Sequence, residues 1–167
     1  MKYTRLAATL LLLVTSAFAQ TKTRQLAEAI AKAEGFYQKN TVPNRCHNPG
    51  DLKANAGEHY LGQIGFCKAG SKTVRFKNDA AGWLALEQQI EKISRGESKH
   101  YNTDMTLRQV AHKYAGNWQV WSNNVAHNLN TTPRATLAEV LELPPTVTVK
   151  PHRLVLVSYT VELPSLE

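Results

Sequence analysis

Helical hydrophobic spacing runs through most of this chain and breaks down in one stretch. Over residues 22–34, Leu26, Ile30 and Ala33 share one stripe with Ala27 and Ala31 beside it, which predicts an amphipathic helix stopped by Gly35. From 40 to 77 that period is lost. Pro43 and Pro49 interrupt it, and small or turn-forming residues crowd the segment from Asn48 to Gly57. Alternating segments around Tyr60–Phe66 and Thr73–Phe76 predict a small hairpin inside this stretch. The helical period returns after Asn78-Asp79, an N-cap for a helix carrying Trp83, Leu86, Ile90 and Ile93 and ended by Gly96. Thr106 and Gln109 form a capping box ahead of Leu107, Val110, Ala111 and Tyr114, closed by Gly116. Trp118, Trp121, Val125 and Leu129 predict a further helix. Thr132-Pro133 predicts the start of the last one, with Leu137, Val140 and Leu141 on its face and Pro144-Pro145 as its stop. The alternating, β-branched tail from Thr146 to Val161 predicts a strand or an extended arm. The fold class is mainly α, with a small β-hairpin region after the first helix. One domain is expected over 20–143, followed by the arm over 144–167.

The first residues read differently from the rest. Lys2 and Arg5 precede an apolar run from Leu6 to Val14, which meets the small-x-small box Ala17-Phe18-Ala19. That order predicts a signal peptide over 1–19, cleaved near Ala19. The apolar run is short of the roughly 20 residues a membrane span needs. The expected product is exported to a periplasm or beyond the cell, without membrane attachment.

Charge adds a hint about partners. Lys and Arg number 20 against 13 Asp and Glu, a net charge of +7. A basic exported protein is drawn to anionic polymers such as bacterial wall, or nonspecifically to nucleic acid, although the same excess also serves solubility. The basic residues are dispersed and no nucleic-acid-binding motif accompanies them, so no specific nucleic-acid partner is expected. Cys46 and Cys67 form an even pair, which in an oxidising compartment is most simply a disulfide. The rival is a metal site using Cys46, His47, His59 and Cys67, but their spacing matches no metal-ligand pattern. No metal and no cofactor are expected. Asn130-Thr131-Thr132 fits an N-glycosylation sequon, a pattern that recurs by chance.

Glu34 is the residue with the most chemical promise. It shares the apolar edge of the first helix with Ile30 and Ala27, lies in the last turn where the helix dipole opposes a negative charge, and precedes Phe36 and Tyr37. Partial burial, the dipole and aromatic neighbours all push a carboxyl pKa upward, and a carboxyl kept protonated near neutral pH can protonate a glycosidic oxygen. The competing reading is a glutamate at the helix border, solvated or paired with Lys32 or Lys39.

Four segments in order carry a family resemblance. They are Ala29-Ile30-Ala31-Lys32-Ala33-Glu34-Gly35-Phe36-Tyr37 with Pro43-Asn44-Arg45, then His47-Asn48-Pro49-Gly50-Asp51-Leu52. Next come Val74-Arg75-Phe76 with Asp79-Ala80-Ala81-Gly82-Trp83, Leu86 and Gln89. Last are Thr106 through Tyr114 and Asn124-Val125-Ala126. Together they resemble lysozyme-like domains related to lytic transglycosylases and goose-type lysozymes, over about Ala29 to Leu129. The resemblance implies a two-lobed helical domain with a glycan cleft, in which Glu34 protonates the leaving oxygen between amino sugars of peptidoglycan. It implies substrate contacts at Asn48, Asp51 and Tyr114; for Tyr114, packing on its helical stripe competes. Tyr60 and Gln63 are read as cleft linings from their chemistry, since sugars stack on aromatic faces and polar side chains hold their hydroxyls. His47 departs from the asparagine usual in the family.

A second carboxylate is open, with Asp51, Glu58 and Asp79 as candidates, since glycosidases that use two carboxyls hold them about 5–9.5 Å apart. Trp118 and Trp121 read first as core packing and second as sugar platforms. The expected function is cleavage of peptidoglycan glycan strands, as a muramidase or a lytic transglycosylase. The alternative is a non-catalytic wall-binding or structural module of the same fold.

Overall fold

A computed structural model describes residues 22–144, position 56 apart. The expected signal peptide over 1–19 and the expected arm from Thr146 lie outside these residues. The chain forms α1 (22–33), α2 (Val42–Arg45), β1 (Gln63–Phe66), β2 (Val74–Phe76), α3 (Asp79–Ser94), α4 (Leu107–Tyr114), α5 (Trp118–Asn128) and α6 (Leu137–Val140). Among the described residues it is mainly helical, with one two-stranded antiparallel sheet after the first helices. Among the described residues no helix is long and apolar enough to cross a membrane.

Local chemistry sets the helix ends. Gly35, at φ 75°, closes α1: its own N–H bonds the Lys32 carbonyl and that of Phe36 bonds the Ala31 carbonyl. This is the left-handed cap that glycine forms without steric cost, and it places Glu34 directly after Ala33, the last helical residue. Thr41 caps α2, a single turn with Pro43 in its first positions. Spacing alone hid α2, because one turn has no hydrophobic period. Asn78 caps α3, and the Thr106–Gln109 capping box starts α4.

The last helix corrects an expectation. Thr132-Pro133 does not start it; α6 begins at Leu137, capped by Thr136 in a second capping box with Glu139. The segment before it is held by α4 instead. Leu107 N–H bonds the Ala135 carbonyl, Arg108 N–H bonds the Pro133 carbonyl, and Leu137 N–H bonds the Met105 carbonyl. The two capping boxes thus lie back to back across a Thr106–Thr136 bridge, each segment serving amides at the start of the other helix.

One apolar core joins Leu26 and Ile30 of α1, Leu52, Val74 and Phe76, Leu86 and Ile90 of α3, Leu107 and Val110 of α4, Trp121 and Val125 of α5, and Leu137. The hairpin pairs Gln63 with Phe76 and Phe66 with Val74, with an irregularity between Gln63 and Gly65. On the other edge of β2, Val74 N–H bonds the Leu52 carbonyl and Ala54 N–H bonds the Lys72 carbonyl. β2 is therefore buried on the core while Ile64 and Phe66 of β1 face solvent.

The closest fit in the fold lies between α3 and the 46–52 loop. A Cβ placed on Gly82 would stand 1.9 Å from the His47 carbonyl oxygen and 2.7 Å from Pro49 Cδ. Replacing a mid-helix glycine by alanine gains up to about 1 kcal/mol in propensity, and overpacking against backbone costs about 1–3 kcal/mol or more. Crowding wins here because the clash is with backbone. We expect Gly82→Ala to lower thermal stability by about 2 kcal/mol in a denaturation experiment; a variant as stable as the parent would show that the contact is loose.

Candidate active site

Glu34 projects from the end of α1 into the space between α1, α5 and the 46–52 loop. Trp121 Nε1–H donates to Glu34 Oε1 at 2.6 Å, from a tryptophan that is 5% exposed. Burial pushes the Glu34 carboxyl up to about 7, the Asp51 charge adds to that rise, and the Trp121 hydrogen bond and Lys53 oppose it. One neutral hydrogen bond does not replace the hydration the ionised carboxylate has lost, so burial dominates.

Asp51 comes from a loop fixed at nearly every residue. The Cys46–Cys67 disulfide, with a Cα–Cα distance of 5.8 Å, ties its start to the end of the hairpin strand. Both sulfurs that a metal site would need are in that bond. His47, at φ 53°, pairs its Nδ1 with Asp79 Oδ1 at 2.6 Å. Asn48 is fully buried; its Nδ2 donates to the Leu52 and Val74 carbonyls, and its Oδ1 accepts from Leu52 N–H. Tyr114 donates its hydroxyl to the Gly50 carbonyl. Asp51 itself sits at φ 43°, a left-handed conformation uncommon outside glycine. Its Oδ1 is buried and accepts no hydrogen bond. Burial raises its pKa and Lys53 lowers it.

The Tyr114 and Trp121 rings pack at a tilt of 43° with their centres 5.0 Å apart, so one aromatic pair holds both carboxyl-bearing segments. The Tyr114 hydroxyl is pushed well above its usual range by burial first, with the Glu34 and Asp51 charges adding. It stays a neutral donor at ordinary pH.

A cavity of about 260 Å³ opens beside this pair, lined by Asp51, Lys53, Tyr60, Tyr101, Tyr114 and Trp121 over an apolar floor that includes Ile90 and Leu107. Glu34 is not itself among the lining residues; it meets the cavity through Trp121 and lies in the field of Asp51 and Lys53. Two further hollows, of about 290 and 690 Å³, adjoin it, and Glu58 borders all three.

The expected site residues therefore divide. Asp51, Tyr60 and Tyr114 gather at the cavity. Gln63 lies in the 690 Å³ hollow, where its Oε1 accepts from Tyr60 N–H at 3.1 Å. Asn48, expected at the substrate, has no exposed surface and every polar atom of its carboxamide bonded to backbone, so it is a loop anchor. Of the candidate second carboxylates, Asp79 is bound to His47 and outside the cavity, and Glu58 is exposed and accepts from Asn55 N–H at 2.8 Å. Trp118 stacks on His112 at 3.8 Å and does not line the cavity. Lys53 and Tyr101 escaped the sequence reading, having no periodic or motif context. Trp121 did show a signal: a buried indole N–H needs an acceptor.

Comparison with protein-family models, with curated proteins and with solved structures finds no match for this chain.

Glu34 makes stability pH-dependent in a defined direction. Its folded pKa is about 7 against an ordinary 4.5, so the folded state favours the protonated form. That preference is fully present below 4.5 and is lost as pH rises through about 7, leaving the buried carboxylate costing about 3 kcal/mol. Glu34→Gln keeps an acceptor for Trp121 and removes the charge. Its melting temperature should match the parent at pH 4 and exceed it at pH 8; equal melting temperatures at both would contradict the burial argument. Trp121→Phe removes the donor that favours the ionised form, so NMR titration should find the Glu34 midpoint above the parent's.

Proposed function

We propose that this chain cleaves glycan strands of peptidoglycan, as a two-lobed lysozyme-like domain with Glu34 as general acid. The observation that carries the reading is a helix-terminal carboxyl raised to about 7 by burial and held by the Trp121 indole beside a cavity. A proton held at Oε2 is free to pass to a leaving oxygen while Oε1 stays bonded to Trp121. Three adjoining hollows meeting at Glu58 suit an extended polymer better than a small compact ligand. The mainly helical chain with its hairpin after α1 and α2 is compatible with such a fold. The disulfide accords with an oxidising compartment, and hence with the export expected for a wall enzyme.

A wall-binding module without catalysis is the second reading. It is favoured by Glu34 standing off the cavity lining and by the solvent-facing Leu61, Ile64 and Phe66 around β1. Soluble fragments released from purified peptidoglycan separate the two. We expect the parent to release muropeptides and Glu34→Gln to lose at least about 100-fold of that rate while folding normally. The parent's rate should fall as pH rises through about 7, where the acid loses its proton. Retention on insoluble wall with no soluble product would favour the binding module, and full activity in Glu34→Gln would overturn the acid assignment.

A further inference from the structure

Asp51 has accepting capacity that the protein leaves unused. Its carboxyl lines the cavity, its Oδ1 is enclosed without a partner, and no described side chain or backbone amide donates to it. A carboxylate in this state lacks a donor, and ordered water is what ordinarily fills such a gap at a polar cavity wall. The backbone that carries it is left-handed at φ 43°, the kind of sparsely populated geometry that persists only when its surroundings over-determine it. Here the surroundings are the Tyr114 bond to the Gly50 carbonyl on one side and the Asn48 carboxamide on the other. Asp51 is thus a fixed, under-bonded carboxyl within electrostatic reach of Glu34, whose pKa its charge helps to raise.

We propose that Asp51 is the catalytic base that activates water, which makes the reaction at this site a hydrolysis rather than an internal transglycosylation. The proposal rests on the reading of Glu34 as the general acid. Asp51 takes one proton from a water held in the cavity, and the water oxygen bonds to the anomeric carbon. The glycosidic carbon–oxygen bond breaks, its electron pair stays on the leaving oxygen, and that oxygen takes the proton of Glu34. The cycle leaves Asp51 protonated and Glu34 ionised, and exchange with solvent restores both. Burial raises both carboxyls; at Asp51 the Lys53 charge opposes that rise, and at Glu34 the rise reaches about 7. Asp79 and Glu58 do not compete for this role, being bound to His47 and to the Asn55 amide.

The test is digestion of purified peptidoglycan in water enriched in oxygen-18, with mass spectrometry of the new glycan ends. The parent should give reducing ends carrying one heavy oxygen. Asp51→Asn suits the left-handed backbone, so it should melt with the parent, yet it should release ends at least about 100-fold more slowly. Azide needs no base, so added azide should restore cleavage in Asp51→Gly and give glycosyl azide ends. Anhydro ends from the parent, or Asp51→Asn within a few fold of the parent, would overturn the proposal while a dead Glu34→Gln kept the acid reading standing. A parent that releases nothing would remove both.

Discussion

The fold turns on a stretch of backbone that runs through its interior without belonging to a helix or a regular strand. Residues 46–52 pass between α3 and β2, and a buried loop carries amide and carbonyl groups that each cost free energy if left unpaired. Asn48 meets that constraint with one side chain, accepting from Leu52 N–H and donating to the Leu52 and Val74 carbonyls. It therefore closes the loop on itself and ties it to β2. Gly82 then lets α3 lie against the His47 carbonyl, and Gly50 leaves room for Leu86. The loop is rigid because its polar groups are satisfied and its neighbours are small where it needs space.

From that loop the site follows through two aromatic residues. Tyr114 on α4 bonds the Gly50 carbonyl, Trp121 on α5 bonds Glu34, and the two rings pack together. Each ring removes water from the carboxyl groups with its body and offers a donor with its tip. The two effects oppose each other at Glu34, and the loss of hydration outweighs the single N–H. Asp51 has no such donor; burial raises its pKa and Lys53 works against that rise. The surroundings of the two carboxyls thus differ: Glu34 has an indole donor and Asp51 has none.

How much of this was legible in the chain depends on the range of the interaction. The spacing of Leu86 with Ile90, and of Leu107 with Val110, marked α3 and α4 within a residue or two, because helical periodicity and N-caps are local. The start of α6 was misread because Thr132-Pro133 looked like an opening, whereas the amides of α4 hold the Pro133 and Ala135 carbonyls and leave Thr136 to cap. Glu34 could be singled out from its place at a helix end, but not its partner, since Trp121 lies 87 residues away. Asn48 stood in a motif that suggested substrate contact, and only the packing of Leu52 and Val74 around it reveals an anchor. Long-range hydrogen bonds carry no spacing in sequence, and the candidate site is made of them.

The cross-link at Cys46 bears on how such a site is tolerated. A carboxyl buried at Glu34 weakens the fold above neutral pH by an amount comparable to what one disulfide closing a loop of this length contributes, about 3 kcal/mol. The bond joins the loop to the hairpin five residues before Asp51, at the point where opening the loop would let more water reach Glu34. Rehydration is the cheapest relief available to a buried carboxylate, and it would return Glu34 toward an ordinary pKa. A covalent tie, the Asn48 carboxamide and the Tyr114 hydroxyl all resist that opening. The raised pKa of Glu34 thus depends on the residues that keep the 46–52 loop shut as well as on those packed around the carboxyl.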